Sequence, residues 1–471
     1  MVAALDLGSS ALCVRVRVSP SAPLNRLMRD FEQMGPGFCL AKFYDLTLHL
    51  NSGHNHSCIH PQTHQVPLAE LSATEHALHN SEYKKSVRQQ MLNGQRPTEC
   101  GYCWRMEDSG TQAQSDRIGF SYNLLNQHPE LLSEVQQYGA DHNYHPRQLE
   151  VSFSSTCNFK CVYCSPELSS KWLDDVVKHG AIDLGSGAVH STETMKQRQR
   201  FPISVREHNP WVDAFWSWFP QVYSKLTFLK VTGGEPLLHS DTFRLLDWIL
   251  DQPNHNLKLG INSNLGVPDR IIDNLIEKLQ QLSEKKSTRT LTVWTSGEAV
   301  GSQFDYIRQG GTYQQWQHNI KRLLGSVPNV NVKIMTTYSI LSVAGYQKFL
   351  SDMLEIYYRY PARFSIDTHQ YLQYPKYLRM DMLTEDFVPC VEQQVETVAD
   401  LCQQGILPEY QLDNAQRVLA LLNNALADPQ GVQELRQQFC RYVDEFDRRN
   451  GTDFVATFPE LENFYRQFRR D

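Results

Sequence analysis

Three cysteines, Cys157, Cys161 and Cys164, lie within eight residues at C-x3-C-x2-C spacing, directly after the strand-like run Leu149 to Phe153. Thiolates gathered by a tight loop are what hold an iron–sulfur cube, and a cube ordinarily takes four of them. Here the local count stops at three, which would leave one iron open to bind something else. A zinc loop or three buried thiols would use the same residues, and this spacing alone leaves those readings open. A second group lies upstream: Cys39, Cys58 and the knuckle Cys100-Gly-Tyr-Cys103. Four thiolates would close a site, as a fully ligated cluster requires. Zinc on Cys100 and Cys103, completed by two more cysteines or by local histidines, is the rival. The histidines themselves (His54, His56, His60, His64) read as solvated loop residues. Cys390, Cys402 and Cys440 match no metal spacing and read as ordinary thiols.

Downstream, Gly233-Gly-Glu-Pro236 follows the strand-like run Phe228 to Thr232. Glycines let a backbone approach a ligand closely, and the proline stiffens the exit. The three-cysteine loop, with Tyr163 before its last cysteine, and this turn one strand later together resemble the radical S-adenosylmethionine (SAM) superfamily. The resemblance implies a [4Fe–4S] cluster on Cys157, Cys161 and Cys164 whose open iron chelates SAM. Reduction would cleave SAM to a 5′-deoxyadenosyl radical that takes a hydrogen from substrate. It further implies SAM contacts from Tyr163, Gly233, Gly234, Glu235 and Pro236, with Glu235 near the methionine ammonium. Asn262 and Asn264 in Ile261-Asn-Ser-Asn264 would join them, as would Thr295 and Ser296 on the ribose side. Glu298 and Arg308 follow, either as a polar loop or as SAM or substrate contacts.

Residues 37–146 resemble a Twitch or SPASM-like auxiliary-cluster module. The order is Phe38-Cys39, a strand pair, Cys58, a helix with Lys84, Lys85 and Arg88, the C-x2-C knuckle, then Glu107, Gly110, Ser115 and Arg117. That implies an auxiliary iron–sulfur cluster on Cys39, Cys58, Cys100 and Cys103, with zinc as the alternative. Such modules accompany enzymes that modify peptides, so a peptide or protein side chain is the expected substrate. A small metabolite (amino acid, sugar or nucleotide derivative) comes second, and a non-catalytic iron–sulfur or zinc protein is the reading from another class. An electron donor such as flavodoxin or ferredoxin is the implied partner.

The elements that must position these residues alternate. Strand-like runs end near Phe153, Thr232, Asn262, Thr295, Thr337 and Asp367, and helices such as 242–251, 269–284 and 313–324 separate most of them. Alternation of this kind predicts parallel strands with right-handed crossovers. Six strands suit the partial (β/α)6 barrel of the superfamily, an α/β fold with its chemistry at the C-terminal strand ends. The expected divisions are an extension at 1–36, the cysteine module at 37–146, the barrel at 147–372 and a helical segment at 373–471. Within the module, Phe43, Leu46, Leu48 and Leu50 suggest strands, and one helix is expected over roughly 68–93. The connection at 165–225 is long; its polar stretch, His179 to Arg200, reads as a lid, and its aromatic stretch around Trp211 to Phe219 as a packed helix.

Composition sets the outer limits. With 471 residues, 41% hydrophobic and a net charge of −7 spread along the chain, the sequence is globular and carries no nucleic-acid footprint. Met1 to Val18 makes a poor signal peptide, and no run approaches the ~20 apolar residues of a membrane span. Eleven cysteines, an odd number, then point to a reducing cytosol and to metal or redox use. Two glycine-rich matches, Asp6-Leu-Gly-Ser-Ser10 and Asp183-Leu-Gly-Ser-Gly187, lack companion motifs and carry no weight.

Overall fold

The computed structural model describes residues 22–110 and 115–469. The match at Asp6–Ser10 and the segment Met1–Val18 lie outside them. The chain is a mixed α/β protein organised on one large sheet with strands β1 (Asp45–His49), β2 (His54–His56), β3 (His64–Gln65), β4 (Gln148–Ser152), β5 (Phe228–Thr232), β6 (Asn254–Asn262), β7 (Thr288–Ser296), β8 (Val330–Met335) and β9 (Phe364–Asp367). The spatial order is β9-β8-β7-β6-β5-β4-β1-β2-β3. From β9 to β1 every pairing is parallel, and β2 and β3 close the edge as antiparallel strands. The expected run of parallel strands β4 to β9 is present, with helices such as Ser240–Asp251, Asp269–Glu284 and Tyr313–Ser326 between them.

Strand alternation sorts the side chains onto two faces. Leu149, Val151, Leu229, Val231, Leu259, Ile261, Leu291, Val293, Val332 and Ile334 belong to the main apolar core. Their neighbours face the other way. Phe228, Trp294 and Met335 form a small cluster of their own there, and Lys230 is ion-paired to Glu150 at 3.3 Å. A sheet apolar on one face and polar on the other is where a buried reaction site can be built, and the candidate residues fall on the polar face or at its C-terminal rim.

Two local expectations are corrected. Phe43 sits in the short helix Ala41–Tyr44, and the strand begins at Asp45. The single helix expected over 68–93 is three helices, Leu68–Ala73, Ala77–Asn80 and Glu82–Leu92. Thr74 is extended and ends the first, and Ser81 caps the third by accepting from Lys84 N–H. The polar stretch read as a lid is folded: it holds the hairpin Ile182–Asp183/Ala188–Val189 and the helix Thr192–Gln197, with Arg200 ion-paired to Glu167. Asp183–Gly187 is the hairpin's turn, where Asp183 accepts from Gly185 N–H at 2.8 Å. The aromatic stretch is a helix, Pro210–Val222, that buries Trp211, Phe215, Trp218 and Phe219. Among the described residues, no helix is long and apolar enough to cross a membrane.

Candidate functional site

The loop after β4 carries Cys157, Cys161 and Cys164 and is fastened on several sides. Lys160–Cys161 pairs antiparallel with Arg308–Gln309, and Val162 N–H donates to Ile307 O at 2.9 Å. Trp172 Nε1–H donates to Cys161 O (2.8 Å) and Tyr442 OH to Val162 O (2.5 Å), so the long helix Gln430–Asn450 underpins the loop. Buried Lys160 pairs with Asp175 at 2.6 Å, and Asp175 with Arg449 at 2.8 Å.

The glycine turn after β5 lies against this loop. A Cβ on Gly234 would stand 2.4 Å from Thr156 O and 2.6 Å from Ser155 O, and one on Gly233, whose φ is +141°, 2.7 Å from Ser154 O. Only glycine fits at that approach. Gly234 and Glu235 N–H groups donate to Ser154 O and Thr156 O at 3.0 and 2.7 Å. Asn264, after β6, spans the same gap. Its Nδ2 lies 3.0 Å from Asn158 Oδ1 and 4.0 Å from Cys157 Sγ, and Asn158 Nδ2 donates to Gly266 O at 2.8 Å.

The carboxylate of Glu235 is bonded within its own surroundings. It accepts from Ser263 Oγ (2.8 Å), Asn264 N–H (2.6 Å) and Leu237 N–H (3.1 Å), tying the glycine turn to the end of β6. Burial pushes its acid up to about 7 against those three donors. Thr295 and Ser296 separate by alternation. Thr295 Oγ1 faces the helix layer and accepts from Trp316 Nε1–H at 2.8 Å, whereas the half-buried Ser296 lies at the rim of the polar face. Asn262 is half-buried at the end of β6, and Pro236 is buried in the first turn after Glu235.

Glu298 and Arg308 are a buried ion pair, Arg308 Nη2 to Glu298 Oε2 at 2.7 Å, completed by Tyr163 OH on Glu298 Oε1 at 3.2 Å. Arg308 also bonds the Cys161 thiol, whose pKa burial nonetheless raises to about 11. Burial, then the neighbouring Cys161 thiol, pushes Cys164 up to about 12 and Cys157 well above the ordinary range. Thiols held protonated by burial become ligands when a metal replaces the proton.

Cys39, Cys58, Cys100 and Cys103 line one cavity of about 200 Å³, brought there by the start of the helix Ala41–Tyr44, the end of β2 and the helix Gly101–Asp108. Burial raises Cys39 to about 12 and Cys100 to about 11. Two cations adjoin them. Lys42 is paired to Glu99 and bonds Cys100. Arg117 is held by both oxygens of Glu107 (2.8 Å each), which also accepts from Ser115. Among the described residues, no three His, Cys, Asp or Glu side chains converge on a single metal point.

The hairpin histidines are not solvated. His54 and His56 are buried, and His49 Nε2 lies 3.1 Å from His56 Nε2. Burial holds His54 and His56 down to about 4. His49, Lys42, Ser263 and Arg200 escaped the sequence reading. Lys42, one helical turn beyond Cys39, had the one local signal.

No protein-family model and no curated protein matches this chain.

Proposed function

We propose that the chain is a radical SAM enzyme on a partial (β/α)6 barrel, with a [4Fe–4S] cluster on Cys157, Cys161 and Cys164. One observation carries the reading: a three-thiol loop and a double-glycine turn meet at backbone contact, with Asn264 reaching Cys157 from the next strand. Three soft thiols without a local fourth suit an iron–sulfur cube that keeps one iron for a second ligand. Cys157, Cys161 and Cys164 would hold the cluster, which would supply the electron for reductive cleavage of SAM and so the radical chemistry that removes a hydrogen from substrate.

The chain's own residues bind and orient. Gly233 and Gly234 open main chain to the methionine end of SAM, and Glu235 fixes that turn through Ser263 and Asn264. Asn262, Asn264 and Ser296 offer polar contacts along the rim. Arg308 sets a positive charge on Cys161, and Glu298 and Tyr163 hold the guanidinium in place. Thr295 accepts from Trp316 in the helix layer and positions β7.

The second group supports an auxiliary cluster on Cys39, Cys58, Cys100 and Cys103. Four thiols around one cavity suit a cube that gives each sulfur its own iron, with a single zinc ion as the alternative. Lys42 and Arg117 offset its negative charge. A peptide or protein side chain is the first substrate class and a small metabolite the second, with flavodoxin or ferredoxin as reductant in a reducing cytoplasm. Anaerobically reconstituted protein given dithionite and SAM is expected to form 5′-deoxyadenosine, and the triple Cys157/Cys161/Cys164→Ala variant none. Wild type that holds iron and binds SAM yet forms no 5′-deoxyadenosine would overturn the enzyme.

A further inference from the structure

The polar face of the sheet holds a second cavity that neither cysteine group uses. It shares Thr47, Ile59 and Glu150 with the four-cysteine cavity and runs on to His49, Ser152, Thr232 and Gly233. Along the strands it therefore begins beside one thiol group and ends at the glycine turn of the other. Glu167 and Arg200, both from the long connection, form its far wall.

Arg200 reaches that wall by construction. The helix Thr192–Gln197 ends in paired bonds, Gln199 N–H to Lys196 O (3.0 Å) and Arg200 N–H to Met195 O (2.8 Å), the pattern of a Schellman cap. Gln199 takes the left-handed position with φ +56°, where glycine would be the unstrained choice. Three residues on, Ile203 N–H donates to Asn51 O at 2.7 Å, which fixes the exit against the hairpin. The guanidinium, with its side chain 12% exposed, donates to Thr63 Oγ1 at 2.7 Å and stands 3.4 Å from Glu167 Oε2. An arginine carries five N–H bonds, and Thr63 and Glu167 engage one on each terminal nitrogen.

We propose that this cavity is the substrate site and that Arg200 receives a carboxylate of the substrate. The inference rests on the radical SAM reading, which places the reacting end of the cavity at Gly233. The planar fork of a guanidinium matches a carboxylate in two parallel bonds. The charge balance favours a monoanion. Glu150, paired to Lys230, and Glu167, paired to Arg200, both line the space, so a dianionic phosphate would meet more repulsion than one arginine offsets. Glu167, held by Arg200 at 3.4 Å, would exchange that contact for an ammonium on the same substrate. The carboxylate belongs either to a free acid or to an acidic side chain of a peptide.

The test uses anaerobically reconstituted protein saturated with SAM, so that SAM's own carboxylate is not the probe. Calorimetry compares N-acetylglycine with N-acetylglycinamide, and a capped Gly-Glu-Gly peptide with its Gly-Gln-Gly counterpart. Wild type is expected to bind the acid of at least one pair and neither amide. Arg200→Gln should weaken that binding about tenfold or more, and Arg200→Lys, which keeps the charge without the fork, should recover only part of it. Binding of N-acetylglycine marks a free acid, and binding of the glutamate peptide a side chain. Failure of both acids to bind, equal binding of an acid and its amide, or unweakened binding by Arg200→Gln would overturn the inference. If Arg200→Gln does not fold, Arg200→Lys decides. Iron is quantified on the same samples: protein that binds acids through Arg200 but holds no iron keeps the carboxylate site and loses the enzyme, and the reverse result does the opposite.

Discussion

Gly234 is where the two chemical loops touch, so a single methyl group should be felt at both. Gly234→Ala places a carbon 2.4 Å from Thr156 O, a contact that backbone must move to relieve. We expect a loss of about 1–3 kcal/mol in denaturant unfolding and less iron retained on the three-cysteine loop. Glu235 provides a pH signature. Its acid is raised from 4.5 to about 7 in the folded chain, so the folded state holds the proton more tightly than the unfolded one. The stabilisation is complete below about pH 4.5 and is lost as pH rises through 7, on the order of 3 kcal/mol in all. Unfolding followed between pH 5 and 8 should show that decline in wild type, and Glu235→Gln should flatten it. A slope unchanged by the substitution would place the proton elsewhere.

Among the elements, the short ladder between Lys160–Cys161 and Arg308–Gln309 makes the cysteine loop depend on a distant turn. Arg308→Met keeps bulk but leaves Glu298 buried without its cation, at a cost of about 3–5 kcal/mol. Adding Glu298→Gln should recover much of that, as a double-mutant cycle would measure. The strand ends that carry the motifs were legible because apolar runs such as Phe228–Thr232 stop at Gly, Asn or Ser. The spacing of the thiols was legible for the same reason: it is local. What escaped depends on distance in the chain. Thr295 and Ser296 could be told apart only by knowing which face of β7 packs on Trp316. Arg200 reaches the cavity through a helix cap that glycine did not mark. The histidines of β2 read as solvated because the residues around them come from other elements, Lys84 and Glu99 beside His56 and Arg200 beside His54.

At the scale of the whole molecule, the cysteine module and the expected barrel share one sheet. β1 pairs in parallel with β4 over Asp45–His49, and Leu46, Leu48 and Leu50 enter the main core. A fragment beginning at residue 147 would expose the edge of β4 and that apolar surface, so we expect it to aggregate or to melt without cooperativity, as calorimetry would report. A soluble, cooperatively folding fragment would show the module to be dispensable for the fold. The continuity also sets the two thiol groups along one polar face with the Arg200 cavity between them, the arrangement that the proposed common substrate would require. Iron and acid-labile sulfide, counted per chain after anaerobic reconstitution, test the central claim most directly. Wild type should hold roughly eight of each if both groups carry cubes, and the Cys157/Cys161/Cys164→Ala variant roughly four fewer, with the loss of the form that responds to SAM in Mössbauer spectra. Wild type that binds no iron, or a triple variant that keeps its full complement, would contradict the account.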